Sequence, residues 1–379
     1  MQSSPEPVAS PDEQQDGIQE IHVAGFCSIK EVDLRPGRLT VLIGPNGSGK
    51  SNLLQVLRLI PLLRTRSLQR YVADHGFGAA LLHYGAKTTE AIDLGVVIKD
   101  QGETYRYDAR LAFAPDDTLY FQTENAARIN SDGTLSISSL GGGHRESNLL
   151  DESYRDSTVA AVNEWLGRMT YYHFHDTSAQ SRLRSHARQE DDRYPRSNGS
   201  NLAAYLLRLK ESDDLADQKA WQRINRDCRH IAPAVKQLDP VAVNGSVRLD
   251  WIDDRDERFG CHQFSDGTLR ALALITVLSQ PTQRLPRLIS IDEPELGLHP
   301  SAIALITELC RSISRHTQVI LSTQSTELLD YFNANEVVVV ERQQGQTTLA
   351  KPNSDALQKW LEDYSLSELY TKGVIGGKP

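Results

Sequence analysis

Cysteine is scarce in this chain, and long apolar runs, internal repeats and heptad arrays are missing; each shortage closes off a class of protein. The four cysteines, Cys27, Cys228, Cys261 and Cys310, lie scattered over 379 residues without CxxC pairs or metal-ligand spacing. A disulfide scaffold or zinc ribbon is therefore excluded, and reduced, mostly buried thiols in a cytoplasmic protein are expected. Ala271–Leu278 is among the longest apolar stretches and is far too short to cross a bilayer, so no membrane association is expected. No basic-then-apolar leader opens the chain, so nothing points to secretion. Without sustained heptads there is no long coiled-coil arm. The net charge of −9 gives no general attraction for nucleic acid. One local exception is the run Arg182, Arg184, His186, Arg188, Arg193 and Arg196, broken by Glu190-Asp191-Asp192. It reads either as a solvated surface segment or as a phosphate-contacting face.

What is present is ordinary globular material, 39% hydrophobic and 24% charged, enough for one large α/β domain with an inserted lobe or for two domains. Within it stands Gly44-Pro45-Asn46-Gly47-Ser48-Gly49-Lys50-Ser51, which fills every position of G-x-x-x-x-G-K-[ST]. Val41-Leu42-Ile43 before it reads as a strand. Asn52 onward carries helical apolar spacing to about Leu59, where Pro61 should interrupt the helix. In that setting the glycines let successive N–H groups point inward onto phosphate oxygens, and the helix N-terminus adds positive potential. Lys50 would reach the β- and γ-phosphates and the Ser51 hydroxyl would ligate Mg²⁺, with Asn52 at the edge of the site. These residues imply a bound nucleoside triphosphate.

Further along, Leu288-Ile289-Ser290-Ile291-Asp292-Glu293 is an apolar strand ending in two carboxylates. Asp292 is placed to hold Mg²⁺, and Glu293 to polarise an attacking water. Ser265 can cap the apolar helix that begins near Leu269, and with Gly267 in its first turn it would present donors to an anion. Residues 92–98, 105–107, 111–113 and 135–137 read as strands of a β-meander, and helices are expected at about 153–167, 201–211 and 215–231, the second capped by Asn201 or Ser200. In Tyr171-Tyr172-His173-Phe174-His175-Asp176 the two histidines fall on one face of a strand. A third metal ligand at suitable spacing is not evident in the sequence, so core or supporting histidines are the expectation there.

The order GPNGSGKS, FSDGT, LISIDEPELGLHP and LSTQS resembles the ABC-class ATPases, within them the RecF/SMC-like soluble branch rather than transporter subunits. The chain is similar to bacterial stand-alone predicted ATPases of the AAA family that share its Trp-Leu-x-Asp-Tyr…Ile-Gly-Gly-x-Pro tail, and to the ATPase part of OLD-family nucleases. The resemblance covers about 18–379 and is loose over 140–245. It implies an α/β fold, a P-loop ABC-type ATPase head with a β-meander subdomain and an inserted mainly helical lobe. The expected division is a disordered tail at 1–17, the N-terminal half of the ATPase domain at 18–140, the lobe at 141–245 and the C-terminal half at 246–379. It further implies ATP and Mg²⁺ as cofactors, slow hydrolysis, and an ATP-dependent dimer in which Ser265 and Gly267 complete the partner's phosphate loop. The output would be DNA or a partner effector, in antiviral defence or DNA repair; the alternative is a non-hydrolysing sensor or scaffold. Where the class usually has His, this chain has Gln324, which can donate a hydrogen bond to a γ-phosphate without carrying charge. OLD-type enzymes carry a nuclease domain after the ATPase; only 336–379 follows here, so a nuclease is expected on a separate polypeptide.

Overall fold

The computed structural model describes residues 16–353, 357 and 360–376, so the expected tail lies outside it except for Asp16 and Gly17. The chain forms two compact units. The first contains the chain up to Arg38, Gly47–Met169 and Val340–Leu349; the second contains Leu39–Asn46, Thr170–Val339 and the chain from Ala350. Strands are numbered along the chain.

The first unit is built on an antiparallel sheet of β1 (Gly17–Phe26), β2 (Ile29–Leu34), β4 (Ala91–Asp100), β5 (Glu103–Ala114), β6 (Thr118–Ile129) and β7 (Leu135–Gly141), in the order β2-β1-β4-β5-β6-β7. Alternation drives its core: Ile21, Val23, Val96, Ile98 and Leu111 are fully buried on one face. The expected strands 105–107 and 111–113 are one continuous strand, because Arg110 between them pairs with Asp93 and Gln122 of the neighbours. Sequence reading missed β6, whose alternation is broken by a fully buried Glu124. That carboxylate is satisfied by the Tyr107 hydroxyl at 2.7 Å, the Ser147 hydroxyl at 2.5 Å and the Asn148 N–H at 3.0 Å. The helix Lys50–Leu63 runs through Pro61 rather than stopping before it. Pro61 sits in its last turn, where little helix remains to be disrupted, and Leu59, Ile60 and Leu63 bury that turn.

The second unit carries parallel strands β3 (Leu39–Ile43), β13 (Leu288–Asp292) and β14 (Gln318–Thr323), all wholly buried and rich in β-branched residues. Together with β8 (Met169–Tyr172) and β15 (Val337–Gln343) the order is β15-β3-β14-β13-β8; β15 runs on into the first unit, where β16 (Gln346–Ala350) follows. A smaller sheet holds β9 (Ala187–Arg188), β10 (Val235–Val243), β11 (Ser246–Asp253) and β12 (Arg258–Gly260). The helix Asp266–Leu278 is buried at every position from Leu269 to Leu278 and shares one hydrophobic core with side chains of both sheets. Truncating Leu272 or Leu274 there to alanine should cost about 2–5 kcal/mol of stability. Helices Leu202–Glu211 and Leu215–Ile231 match their expected bounds closely. Asn201 precedes the first without capping it; its side chain instead accepts from the Arg196 N–H and donates to the Asp191 and Tyr194 carbonyls, closing the preceding loop. All four cysteines are free thiols, and burial pushes Cys228 and Cys310 up to about 12. No described helix is long and apolar enough to cross a membrane.

Candidate functional site

Three parallel strands of the second unit end in step. Ile43 at the end of β3 is in register with Thr323 of β14, and Ser322 of β14 with Asp292 of β13. Their carboxyl ends deliver Gly44-Pro45-Asn46, Gln324 and Asp292-Glu293 to one edge, where open α/β sheets place their ligands. Hydrogen bonds fix this edge. The Ser322 hydroxyl donates to Asp292 Oδ1, the Glu293 N–H donates to the Ser322 carbonyl at 2.9 Å, and the Thr323 hydroxyl donates to Glu295 Oε1. Glu293 itself has φ of 43°, the left-handed region that a side-chain-bearing residue rarely enters.

Burial pushes the Asp292 carboxyl up, but the His173 imidazole beside it, the Ser322 hydrogen bond and the His175 imidazole hold it below its ordinary value overall. Glu295 goes the other way. Burial raises its carboxyl, and its Oε2 is buried with no partner among the described residues. Gln324 is exposed at the end of β14.

The remainder of the phosphate-loop motif belongs to the first unit. Gly47 and Gly49 take φ of 76° and 110°, conformations that glycine adopts without penalty. A Cβ on Gly49 would lie 2.0 Å from Thr347 Oγ1, so that close approach admits no side chain. Gly47 instead faces open space. The Thr347 hydroxyl donates to the Ser48 carbonyl at 3.0 Å and lies 2.7 Å from Ser28 Oγ, which also receives the Asn52 amide at 2.7 Å. Ser28 and Thr347 thus brace the loop. They come from the β1–β2 turn and from β16, far apart in the chain, and no motif marks them in the sequence. Asn52, read from sequence as a ligand-side residue, is turned to this brace.

Several features of the loop suit an anion. Ser48 Oγ is buried without a hydrogen-bond partner among the described residues, and no side chain caps the helix Lys50–Leu63. Lys50 is buried at the helix start, while Ser51 is exposed.

Ser265 is the cap expected of it. Its hydroxyl accepts from the Thr268 N–H at 3.1 Å and leaves it exposed at the head of the helix Asp266–Leu278. Gly267 has a packing reason as well: a Cβ there would stand 2.5 Å from the Gly297 carbonyl. From the same helix Arg270 donates to the Phe174 and His175 carbonyls, both at 2.8 Å, and to the Leu296 carbonyl. It thereby ties the segment after β8 and the turn after β13 to one helix.

The arginine run is divided by the fold. Arg184 is 7% exposed and donates to the Thr177, Cys261 and Phe264 carbonyls and to Asp266, a structural strut rather than a surface contact. Arg196 is held by Asp191. Arg182, His186, Arg188 and Arg193 remain exposed. The structure also supplies what the sequence lacked beside His173 and His175: the third group is Asp292, brought across from β13. Asp176 is not part of that cluster.

The chain is similar over 92% of its length to the Old nuclease of Escherichia phage P2, at 24% identity across 382 residues, and spans 63% of that protein. The DNA replication and repair protein RecF of Chlorobium phaeobacteroides (strain BS1) is 36% identical over 84 residues, 21% of this chain and 23% of that one. Among solved structures, the Smc head bound to the C-winged helix domain of ScpA superimposes with a TM-score of 0.60 at 14% identity, covering 90% of this chain and 99% of that one. The Smc head domain with an extended coiled coil, bound to the C-terminal domain of ScpA derived from Pyrococcus furiosus, gives 0.56 at 14%, covering 92% and 99%. At that identity the likeness is one of fold, and it is the fold of an ABC-type ATPase head. A family model described as "AAA domain, putative AbiEii toxin, Type IV TA system" matches residues 39–330, from the strand before the phosphate loop to beyond Gln324, and the chain belongs to that family of AAA ATPases.

Proposed function

We propose that this protein is a slow, Mg²⁺-dependent ATPase that works as a nucleotide-gated switch. Gly44–Ser51 hold the triphosphate, with Lys50 on the β- and γ-phosphates and Asn52 bracing the loop through Ser28. Ser51 and Asp292 hold Mg²⁺, which would neutralise phosphate charge when bound. Glu293 accepts a proton from, or orients, the attacking water, and Gln324 donates to the γ-phosphate. Two chains close on ATP, each supplying Ser265 and Gly267 at a helix N-terminus to the other's site. The observation that carries this reading is the register of β3, β14 and β13, which delivers the start of the loop, Gln324 and the carboxylate pair to one sheet edge. The Ser48 hydroxyl, buried without a hydrogen-bond partner among the described residues, supports phosphate as the ligand.

Relatives named for a nuclease and for DNA replication and repair support DNA, or a DNA-acting partner, as the target. A role in antiviral defence draws only on the family description, which names a toxin. A second reading, a sensor or scaffold that binds ATP without turning it over, is favoured by Gln324, since an amide places no charge on the γ-phosphate. Calorimetry and turnover together decide. Glu293→Gln should keep ATP affinity while turnover falls by about a hundredfold or more. If the wild-type protein binds ATP and releases no phosphate, the scaffold reading replaces the switch. Unchanged turnover in the variant would place the catalytic carboxylate elsewhere.

A further inference from the structure

Two imidazoles converge on the carboxylate that ends β13. His173 and His175 follow β8, which lies beside β13 in the sheet. One ring nitrogen from each and one oxygen of Asp292 lie within 4.8 Å of one another. The His173 Nδ1 is 3.7 Å from Asp292 Oδ2, and the two imidazole rings are 4.0 Å apart. Neighbouring ligands of a tetrahedral zinc ion stand roughly 3.4 Å apart, given metal–nitrogen bonds of about 2.0–2.1 Å. Modest rotation of two partly exposed rings closes the difference.

The supporting groups are arranged as a metal site requires. Ser322 occupies Asp292 Oδ1, which orients the carboxylate and leaves Oδ2 on the side of His173. His175 Nε2 lies 3.1 Å from the Asp292 backbone carbonyl, so this nitrogen carries the proton and the ring keeps a lone pair at Nδ1. Ligating histidines are commonly fixed in this way, by giving their other N–H to a carbonyl. Arg270 pins the backbone of the same segment through the Phe174 and His175 carbonyls. The Tyr171 hydroxyl, 3.0 Å from His173 Nδ1 and 3.5 Å from Asp292 Oδ2, hydrogen-bonds the two ligand atoms and gives up those bonds when a metal ion binds between them.

We propose that His173, His175 and Asp292 bind a divalent transition-metal ion, zinc being the best suited. Two imidazoles and one carboxylate favour zinc over magnesium or calcium, which prefer all-oxygen shells. One consequence rests on the proposed function. Asp292 is the carboxylate assigned there to Mg²⁺, so a zinc ion held by the histidines competes with Mg²⁺–ATP for it and restrains the ATPase.

The test is calorimetric titration of Zn²⁺ into the full, nucleotide-free protein. One equivalent should bind, and His173→Ala and His175→Ala should each weaken binding by about tenfold or more. Co²⁺ should give an intense visible absorption that His173→Ala removes, with thermal melts in chelator verifying that the variants fold; His173→Gln substitutes if the alanine variant does not. Lys50→Ala should lose ATP binding and keep zinc. No stoichiometric zinc uptake, or equal uptake by the His173→Ala/His175→Ala double variant, overturns the site. Zinc bound at one equivalent with unchanged Mg²⁺–ATP affinity would uphold the metal site and overturn the role given to Asp292 in nucleotide binding.

Discussion

Gln324 and Glu295 stand on adjoining turns and are joined through Thr323, whose hydroxyl donates to Glu295 and accepts from the Ser325 N–H at 2.9 Å. Gln324 is the weaker donor for a γ-phosphate, because a neutral amide gives up the extra strength of a charge-assisted bond, about 1.4 kcal/mol. Gln324→His should therefore raise ATP turnover by about tenfold in a phosphate-release assay. An equal or lower rate would mean the site is built around an amide. Glu295 predicts a pH effect. Burial raises its carboxyl in the folded state, so the folded protein holds this proton at pH values where the unfolded chain has released it. Its contribution is fully present below the ordinary glutamate pKa and is lost as pH rises through the raised one. Urea midpoints should show this fall as pH rises above the ordinary glutamate range of about 4, and Glu295→Gln should flatten it. An identical slope in the variant would assign the dependence to another group.

At the scale of elements, the segment between β8 and the helix Leu202–Glu211 divides the arginine run by function. Arg184 is sequestered as a strut, so replacing it would damage the fold and say nothing about ligands. Arg182, Arg188 and Arg193 are exposed and can meet phosphates. Changing these three to Glu should abolish DNA binding in a polarisation titration and leave ATP affinity unchanged. The parent's DNA affinity should fall steeply with salt as counterions are released. A parent that binds no DNA even at low salt would end this expectation and favour a protein partner. The phosphate loop teaches a similar lesson. Its strand and helix were legible because β-branched and helical spacings flank an unbroken motif, whereas its brace, Ser28 and Thr347, was not. Those two residues meet only because β16 returns to the β1–β2 turn.

For the whole molecule, the proposal of a nucleotide-gated dimer makes the exposed Ser265 the test position. ATP held by the Glu293→Gln variant should produce a dimer on light scattering, and adding Ser265→Arg should disperse it by bulk and charge. A cross-link between cysteines placed at Ser265 of one chain and Ser48 of another should form only with ATP. Its failure while ATP is bound would sink the two-chain site.

The sequence by itself determined the class of fold and the loop, carboxylate and cap residues, because each is written in contiguous residues whose spacing fixes local geometry. GPNGSGKS bends only one way, and LISIDE can only be a buried strand ending in acid. Tertiary structure alone decided what depends on separated strands. Glu124 could be buried in β6 because Tyr107, Ser147 and Asn148 close around it. Arg184 could leave the surface because three carbonyls and Asp266 surround it. His173 and His175 found Asp292 because β8 lies beside β13, a pairing across more than a hundred residues that no local spacing records.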